Sequence, residues 1–368
     1  MLRYNWITIA GLAVVAGTAA AQDRPIEDRQ PDNPSRQGTR GANFLTIGIG
    51  ARAAAMAGAV SGSEQGPSAW YWNPAGNASV EQFSAVADRQ ELYRDLDISM
   101  NFAAISLPTF GGVVGLHFTS LTSGDLARTT EDDPEGGVFT GTTFSWSSTS
   151  AGVGYARRLN DRLGVGTTVK FVTEGITDAR VSWVALDAGT RFRTGIYGLT
   201  LGASIANIGP RSRMRGPAIN RAVNTDEFAP QIVDVNLDTR EQDLPTLFRF
   251  SVQTDLLGSA ESILRTNTGR SRLIGEVAFS DANESNPQVA GGLEFSFANT
   301  FFVRGGKRYY NDDRNIARNG AVNSATYGLS GGAGLRIPLR GRGLQFDYAY
   351  TQMGELQNVQ VFTFSFGR

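Results

Sequence analysis

From about residue 84 onward, large apolar residues recur at every second position, in runs separated by turn-forming residues. In Leu344-Gln345-Phe346-Asp347-Tyr348-Ala349-Tyr350, Phe346, Tyr348 and Tyr350 share one face while Gln345 and Asp347 point the other way. Phe362, Phe364 and Phe366 oppose Val361, Thr363 and Ser365. Val289, Gly291, Leu293, Phe295 and Phe297 alternate with Gln288, Ala290, Gly292, Glu294 and Ser296, and Phe248, Phe250 and Val252 with Arg249, Ser251 and Gln253. A period of two is the signature of a strand with two unlike faces. A soluble sandwich alternates as well, so period alone leaves the architecture open.

The spacing predicts fourteen strands, near 84–93, 97–108, 111–128, 141–160, 162–176, 179–193, 198–210, 246–258, 272–282, 287–298, 300–310, 324–338, 343–353 and 359–367. Most reach the roughly 9–11 residues that a tilted membrane strand needs. Connections sort by parity: the even ones are mostly tight (Pro108 to Gly112, Asn160-Asp161-Arg162, Thr194 to Tyr197, Asn299, Leu339 to Gly343). The long ones are odd (Thr129 to Thr140, Arg211 to Pro245, Asn311 to Asn323); Gly258 to Ser271 breaks the rule. Short turns at one end and long loops at the other mark a bacterial membrane barrel, and a sandwich has no reason to sort loops this way. The expected fold is therefore all-β: a single 14-stranded antiparallel transmembrane barrel over 81–368, both mature ends periplasmic.

The same registers divide the wall. Phe295, Phe297, Phe346, Tyr348, Tyr350, Phe362 and Phe364 are expected to face lipid. Lys170, Glu174, Asp187, Arg191, Arg249, Asp255, Glu276, Glu294, Arg336 and Asp347 are expected to face the lumen, with Gln345 and Thr363. An unpaired charge on the lipid face would cost about 2–4 kcal/mol at the midplane. Charges of both signs pairing inside the barrel explain these residues more simply than a substrate path does.

Composition adds three points. The 44 Gly, 21 Phe and 10 Tyr suit strands and turns, and a mean hydropathy on the polar side suits a barrel in which only alternate residues meet lipid. A net charge of −1 argues against nucleic acid as a partner. The absence of cysteine rules out a lipid anchor on cysteine, a disulfide and a thiolate site. Residues 1–21 read as an export leader: Arg3, an apolar run from Trp6 to Gly17, then Ala19-Ala20-Ala21 as a cleavage pattern. That run is shorter than the roughly 20 residues of a spanning helix. Cleavage near Ala21 would leave a polar, Pro- and Arg-rich tail over 22–41 in a protein of the outer membrane.

Four motifs have chemical readings to weigh. Gly48-Ile49-Gly50-Ala51-Arg52-Ala53 has the spacing of a dinucleotide fingerprint, yet the antiparallel pattern that follows lacks the βαβ context this requires. His117, the one histidine, shares a face with Val113, Gly115 and Thr119 and reads as a lumenal polar residue, with no nucleophile motif to partner it. Glu131-Asp132-Asp133 reads as a solvated outer loop before a calcium site, and Asn77-Ala78-Ser79 is a glycosylation sequon without a bacterial context. No cofactor, metal or catalytic residue is expected.

The segment over 42–80 is the most specific stretch. Phe44 to Ala59, with Gly48, Gly50 and Arg52, is followed by Ser68-Ala69-Trp70-Tyr71-Trp72-Asn73-Pro74-Ala75-Gly76. This pattern resembles the N-terminal signature of the PorV/PorQ family of FadL-like outer-membrane proteins, and the Asn-Pro-Ala triplet resembles the hatch of FadL-type fatty-acid transporters. Tyr155-Ala156-Arg157-Arg158-Leu159 leading into Gly164-Val165-Gly166 is similar to that family's middle hairpin, while Gly367-Arg368 after the last aromatic departs from the usual barrel ending. The resemblance implies a hatch over 42–80 inside the barrel. Physically, small residues fold compactly in a narrow lumen, Asn73-Pro74 sets a turn, and Trp70, Tyr71 and Trp72 are too apolar to leave in water. Arg52 would pair with Glu276, Glu294 or Asp347. Two functions follow from the resemblance. A PorV-like protein would serve type IX secretion, holding exported cargo proteins at the surface beside other secretion components. A FadL-like protein would be a passive channel for a hydrophobic ligand such as a fatty acid or hydrocarbon. The signature and the charged lumen favour the first.

Overall fold

The computed structural model describes residues 38–93, 97–109, 111–129, 134, 143–176, 178–224, 232–236, 238–264, 269–310, 328–339, 341–352 and 358–367. The expected leader, the tail as far as residue 37, and Glu131-Asp132-Asp133 lie outside them.

Fourteen antiparallel strands close into one barrel: β1 (Ser84–Tyr93), β2 (Ile98–Thr109), β3 (Gly112–Thr122), β4 (Ser147–Arg158), β5 (Leu163–Ile176), β6 (Ala179–Arg193), β7 (Thr200–Ile208), β8 (Leu247–Leu257), β9 (Ser271–Ala282), β10 (Gln288–Phe297), β11 (Phe301–Tyr310), β12 (Leu329–Leu339), β13 (Arg342–Gln352) and β14 (Asn358–Phe366). Each strand pairs with its sequence neighbours, and β1 closes the wall on β14 with Ala87 opposite Phe364 and Arg89 opposite Phe362. Closure leaves no unpaired edge, which a backbone in hydrocarbon requires. No helix among the described residues is long and apolar enough to cross a membrane.

Two expected strands run too long. The stretch read as 111–128 ends at Thr122, and that read as 141–160 starts at Ser147. Between them Leu126–Ala127 pairs with Thr143–Phe144 in a separate two-stranded ladder, set off where Ser123 Oγ accepts from the Trp146 amide at 2.9 Å. A second small hairpin, Asn220–Asn224 with Ile232–Asn236, rises from the long connection between β7 and β8. We call the end that carries these hairpins the loop end and the other the turn end; the 257–271 connection is the long exception at the turn end.

Alternation sorts the wall as a membrane demands. Phe295, Phe297, Phe346, Tyr350, Phe362 and Phe364 are exposed on the outer face, and Tyr348 leans on Phe362 with ring centroids 5.2 Å apart. Arg249, Gln345, Asp347 and Thr363 are buried on the inner face. Among the described residues the strand register slips at Glu91–Tyr93, at Asp255–Leu257 and at Leu186–Ala188, the last between β6 and β7. There Asn207 takes a left-handed φ of 64° and turns inward beside Ala206. A hydrophobic core fills the lumen, formed by Ile49, Met56, Val60, Trp70 and Trp72 of the N-terminal segment against Met100, Phe102, Val113 and Ala156 of the wall.

Candidate binding site inside the barrel

Residues 42–80 form short pieces: a 3-10 turn (Asn43–Thr46), α1 (Ala51–Ala55), α2 (Ala69–Trp72) and a 3-10 helix (Pro74–Ser79). None is long enough to be stable in water, so tertiary packing holds them. Trp70, fully buried, donates from Nε1 to Ser106 Oγ at 2.9 Å, and its ring lies over Gly115 and Gly154 of β3 and β4. Any side chain at those two glycines would collide with the indole. Trp72 Nε1 donates to the Ile49 carbonyl at 3.0 Å, and the Tyr71 hydroxyl lies 2.7 Å from the Ile47 carbonyl. Burial pushes the Tyr71 phenol above its ordinary pKa, so it remains a donor.

Asn73-Pro74-Ala75-Gly76 is the start of a helix rather than an isolated turn. Asn73 is the N-cap: its Oδ1 accepts from the Ala75 amide at 3.2 Å while its Nδ2 donates to the Ser61 and Thr190 carbonyls at 2.9 Å each. Proline suits the first helical position because its missing N–H is not needed there. The dinucleotide reading fails on geometry. The amides of Gly50 and Ala51, which a phosphate would need, are taken by Asp88 Oδ2 at 3.1 Å and Thr363 Oγ1 at 2.7 Å. Asn77 of the sequon is fully buried, its Oδ1 accepting from Ser106 Oγ at 2.7 Å.

Arg52 ties the segment to the wall. Its Nη1 lies 2.7 Å from Glu64 Oε2 and its Nε 2.8 Å from Glu294 Oε2. Burial disfavours the charged guanidinium, but Glu294 and Glu64 outweigh it and raise the pKa above the ordinary arginine value. Arg304, absent from the sequence expectations, continues the chain: it lies 2.6 Å from both Glu294 and Asp347. Gln345 donates to Asp347 at 2.7 Å and accepts from Arg336 Nη2 at 2.7 Å. Elsewhere on the inner face Lys170 pairs with Asp187 at 2.8 Å and reaches Asn207, Arg191 Nε donates to the Gly62 carbonyl at 2.8 Å, and Glu276 accepts from the Gly62 amide at 2.7 Å. Asp255 pairs with Arg272 at 2.8 Å, and half-buried Glu174 accepts from Ser148 Oγ at 3.2 Å. His117 is buried against Gly152 with no hydrogen-bond partner for Nε2.

These pairings consume most of the lumenal charge and leave an apolar cavity of about 350 Å³ on the loop side of the segment. Ile47, Ala53, Ala57 and Trp72 floor it, and Leu92, Leu247, Ala278, Ala290 and Val361 form its wall. Two cations line it as well. Arg249 stacks 5.0 Å and 4.9 Å from the Tyr71 and Trp72 ring centroids and donates to the Tyr71 carbonyl at 3.3 Å. Arg308 donates to the Ala57 carbonyl at 3.0 Å. Neither forms an ion pair with a carboxylate among the described residues, so the cavity presents two cationic groups beside its apolar surface. Glu284, in the loop after β9, lies at the rim. Burial raises its pKa to about 6, Arg40 opposing and Glu174 adding to the shift.

No family model matches the chain, and no curated protein matches it by sequence. Its fold is similar to three solved channels. The toluene transporter TbuX of Ralstonia pickettii superposes with a TM-score of 0.51 at 10% identity, over 88% of this chain and 98% of that one. The toluene transporter TodX of P. putida gives 0.50 at 9% identity, over 87% and 96%. The CymD monoaromatic hydrocarbon channel gives 0.50 at 8% identity, also over 87% and 96%. At such identities the likeness is one of fold alone. It places the chain among closed fourteen-stranded barrels and does not reach the PorV/PorQ family.

Proposed function

We propose that this protein is an outer-membrane channel for apolar small molecules, with residues 42–80 as its hatch. The observation that carries the reading is the apolar cavity of about 350 Å³ between that segment and the wall. Its size falls at the low end of small-molecule sites, of roughly 300–1,000 Å³. The fold likeness to hydrocarbon channels supports the same reading. The secretion-accessory reading drew on a charged lumen; because those charges pair with one another and with the segment, that ground is gone. Arg249 and Arg308 favour ligands that carry an anionic group on an apolar body.

Binding of toluene and of benzenesulfonate to the detergent-purified barrel tests this, read by tryptophan fluorescence because Trp72 lines the cavity. Both should bind. Arg308→Gln should weaken benzenesulfonate about tenfold, the loss of one charge-assisted contact, and leave toluene nearly unchanged. If neither ligand binds, the channel reading fails and docking of secreted proteins becomes the better account.

The rim carboxylate adds a pH signature. Glu284 is ionised above about pH 6 and neutral below. Benzenesulfonate stays ionised throughout, so its affinity should rise as pH falls through about 6 and the nearby negative charge disappears. Glu284→Gln should flatten that profile; a profile identical to the parent's would remove Glu284 from the site.

A further inference from the structure

The apolar band of the outer wall steps down from β13 to β3. Cross-strand pairing places outward residues in rows. One row runs Phe346, Phe364, Ala87, Ala103, Phe118 across β13, β14, β1, β2 and β3. The next row toward the loop end runs Tyr348, Phe362, Arg89, Asn101, Ser120. The row beyond runs Tyr350, Gln360, Glu91, Ser99, Thr122. The band thus runs on through Tyr348 and Tyr350 on β13 and through Phe362 on β14, while on β1 to β3 it stops at the first row, a step of about 7 Å along the strands from β14 and about twice that from β13.

Arg89 stands at that step, exposed and sixth of the ten residues of β1. Of the other outward-facing charges on the strands, Arg157, Arg180 and Arg342 sit within two residues of a strand end and Lys307 three residues from the end of β11. The Arg89 guanidinium meets one side chain, Asn101 Oδ1, at 3.4 Å. Directly below it the paired alanines Ala87 and Ala103 leave a groove in the wall of about 360 Å³, flanked by Phe118 on one side and Phe346, Phe362 and Phe364 on the other. A bare guanidinium in hydrocarbon is costly. An aromatic-sided groove beneath a cation matches a molecule with an anionic head and an apolar chain.

We propose that this step binds an anionic membrane lipid, its phosphate on Arg89 and an acyl chain in the groove over Ala87 and Ala103. The lowered apolar band lets the headgroup reach Arg89, and the phosphate supplies a counter-charge to a guanidinium that forms no ion pair among the described residues. The site lies on the opposite face of the wall from the cavity and does not depend on the channel reading.

Native mass spectrometry of the detergent-purified barrel tests it, with added phosphatidylglycerol or phosphatidylcholine of identical chains. Phosphatidylglycerol should be retained in preference. Arg89→Gln should reduce its retention about fivefold and leave phosphatidylcholine unchanged. Arg157→Gln, on the outer face near the turn end, should change neither. Ala103→Leu, which fills the groove with the charge intact, should reduce retention of both lipids. Heat-modifiable migration on gels establishes that each variant is folded. Equal retention of the two lipids by the parent, or undiminished phosphatidylglycerol on Arg89→Gln, overturns the proposal. So does a dimer that Arg89→Gln dissociates, because the occupant would then be a second copy.

Discussion

Deleting residues 42–80 should leave a folded barrel that leaks. Each strand's hydrogen bonds go to neighbouring strands, and the closed ladder from β1 to β14 uses none of the deleted residues. What the deletion removes is the lumenal core of Ile49, Met56, Val60, Trp70 and Trp72. The inner face they cover is lined by small residues such as Gly115 and Gly154 and by charged ones such as Glu294 and Asp187, which water can solvate. A fourteen-stranded wall lies between eight-stranded barrels, which side chains fill, and the sixteen to eighteen strands of porins, which hold an aqueous channel. Release of a small fluorescent solute from liposomes should therefore rise by roughly an order of magnitude over the intact chain. The heat-modifiable shift of the barrel should persist. If leakage is unchanged in a barrel that retains that shift, another part of the chain closes the pore and 42–80 is not a hatch.

The wall was legible in the sequence because lipid imposes one rule on every strand. Phe346, Phe362 and Phe364 had to face outward, and a period of two then sent Asp347 and Thr363 inward. What was not legible was set by partners distant in sequence. Phe301 to Tyr310 carries a cation on both faces, Arg304 and Arg308 on one and Lys307 on the other, so its charges did not reveal which side faced in. Glu64 lies in a stretch without period and becomes meaningful only beside Arg52. The inward turn of Asn207 needs a positive φ that no alternation predicts; Lys170 and Asp187 hold it at 2.5 Å and 2.7 Å. The lumenal charges were visible as charges, but not that pairing would leave an apolar cavity among them. Sequence therefore separated inside from outside well and judged the character of the inside poorly.

Arg52→Ala should free the N-terminal segment without unfolding the barrel. The guanidinium bridges a carboxylate of its own segment, Glu64 at 2.7 Å, and one of the wall, Glu294 at 2.8 Å, and Nη2 donates to Ser63 Oγ at 3.1 Å. Its loss leaves Glu294 with Arg304 but strips Glu64, which is nearly inaccessible to solvent, of this cation. Breaking one side of a buried ion pair costs about 3–5 kcal/mol, because the remaining charge stays desolvated. The cost falls on docking of 42–80, since no strand pairing depends on Arg52. The segment should become susceptible to limited proteolysis, with cleavage rising steeply over the parent, and liposome leakage should rise with it. Arg52→Lys should fall between the two, because an ammonium lacks the planar fork that meets both carboxylates at once. Combining Arg52→Ala with Glu64→Gln should recover part of the loss, since a neutral amide is cheaper to bury than a carboxylate that has lost this cation. Parent-like protease resistance and leakage in Arg52→Ala would mean that Trp70 and its neighbours hold the segment alone, with the arginine a passenger.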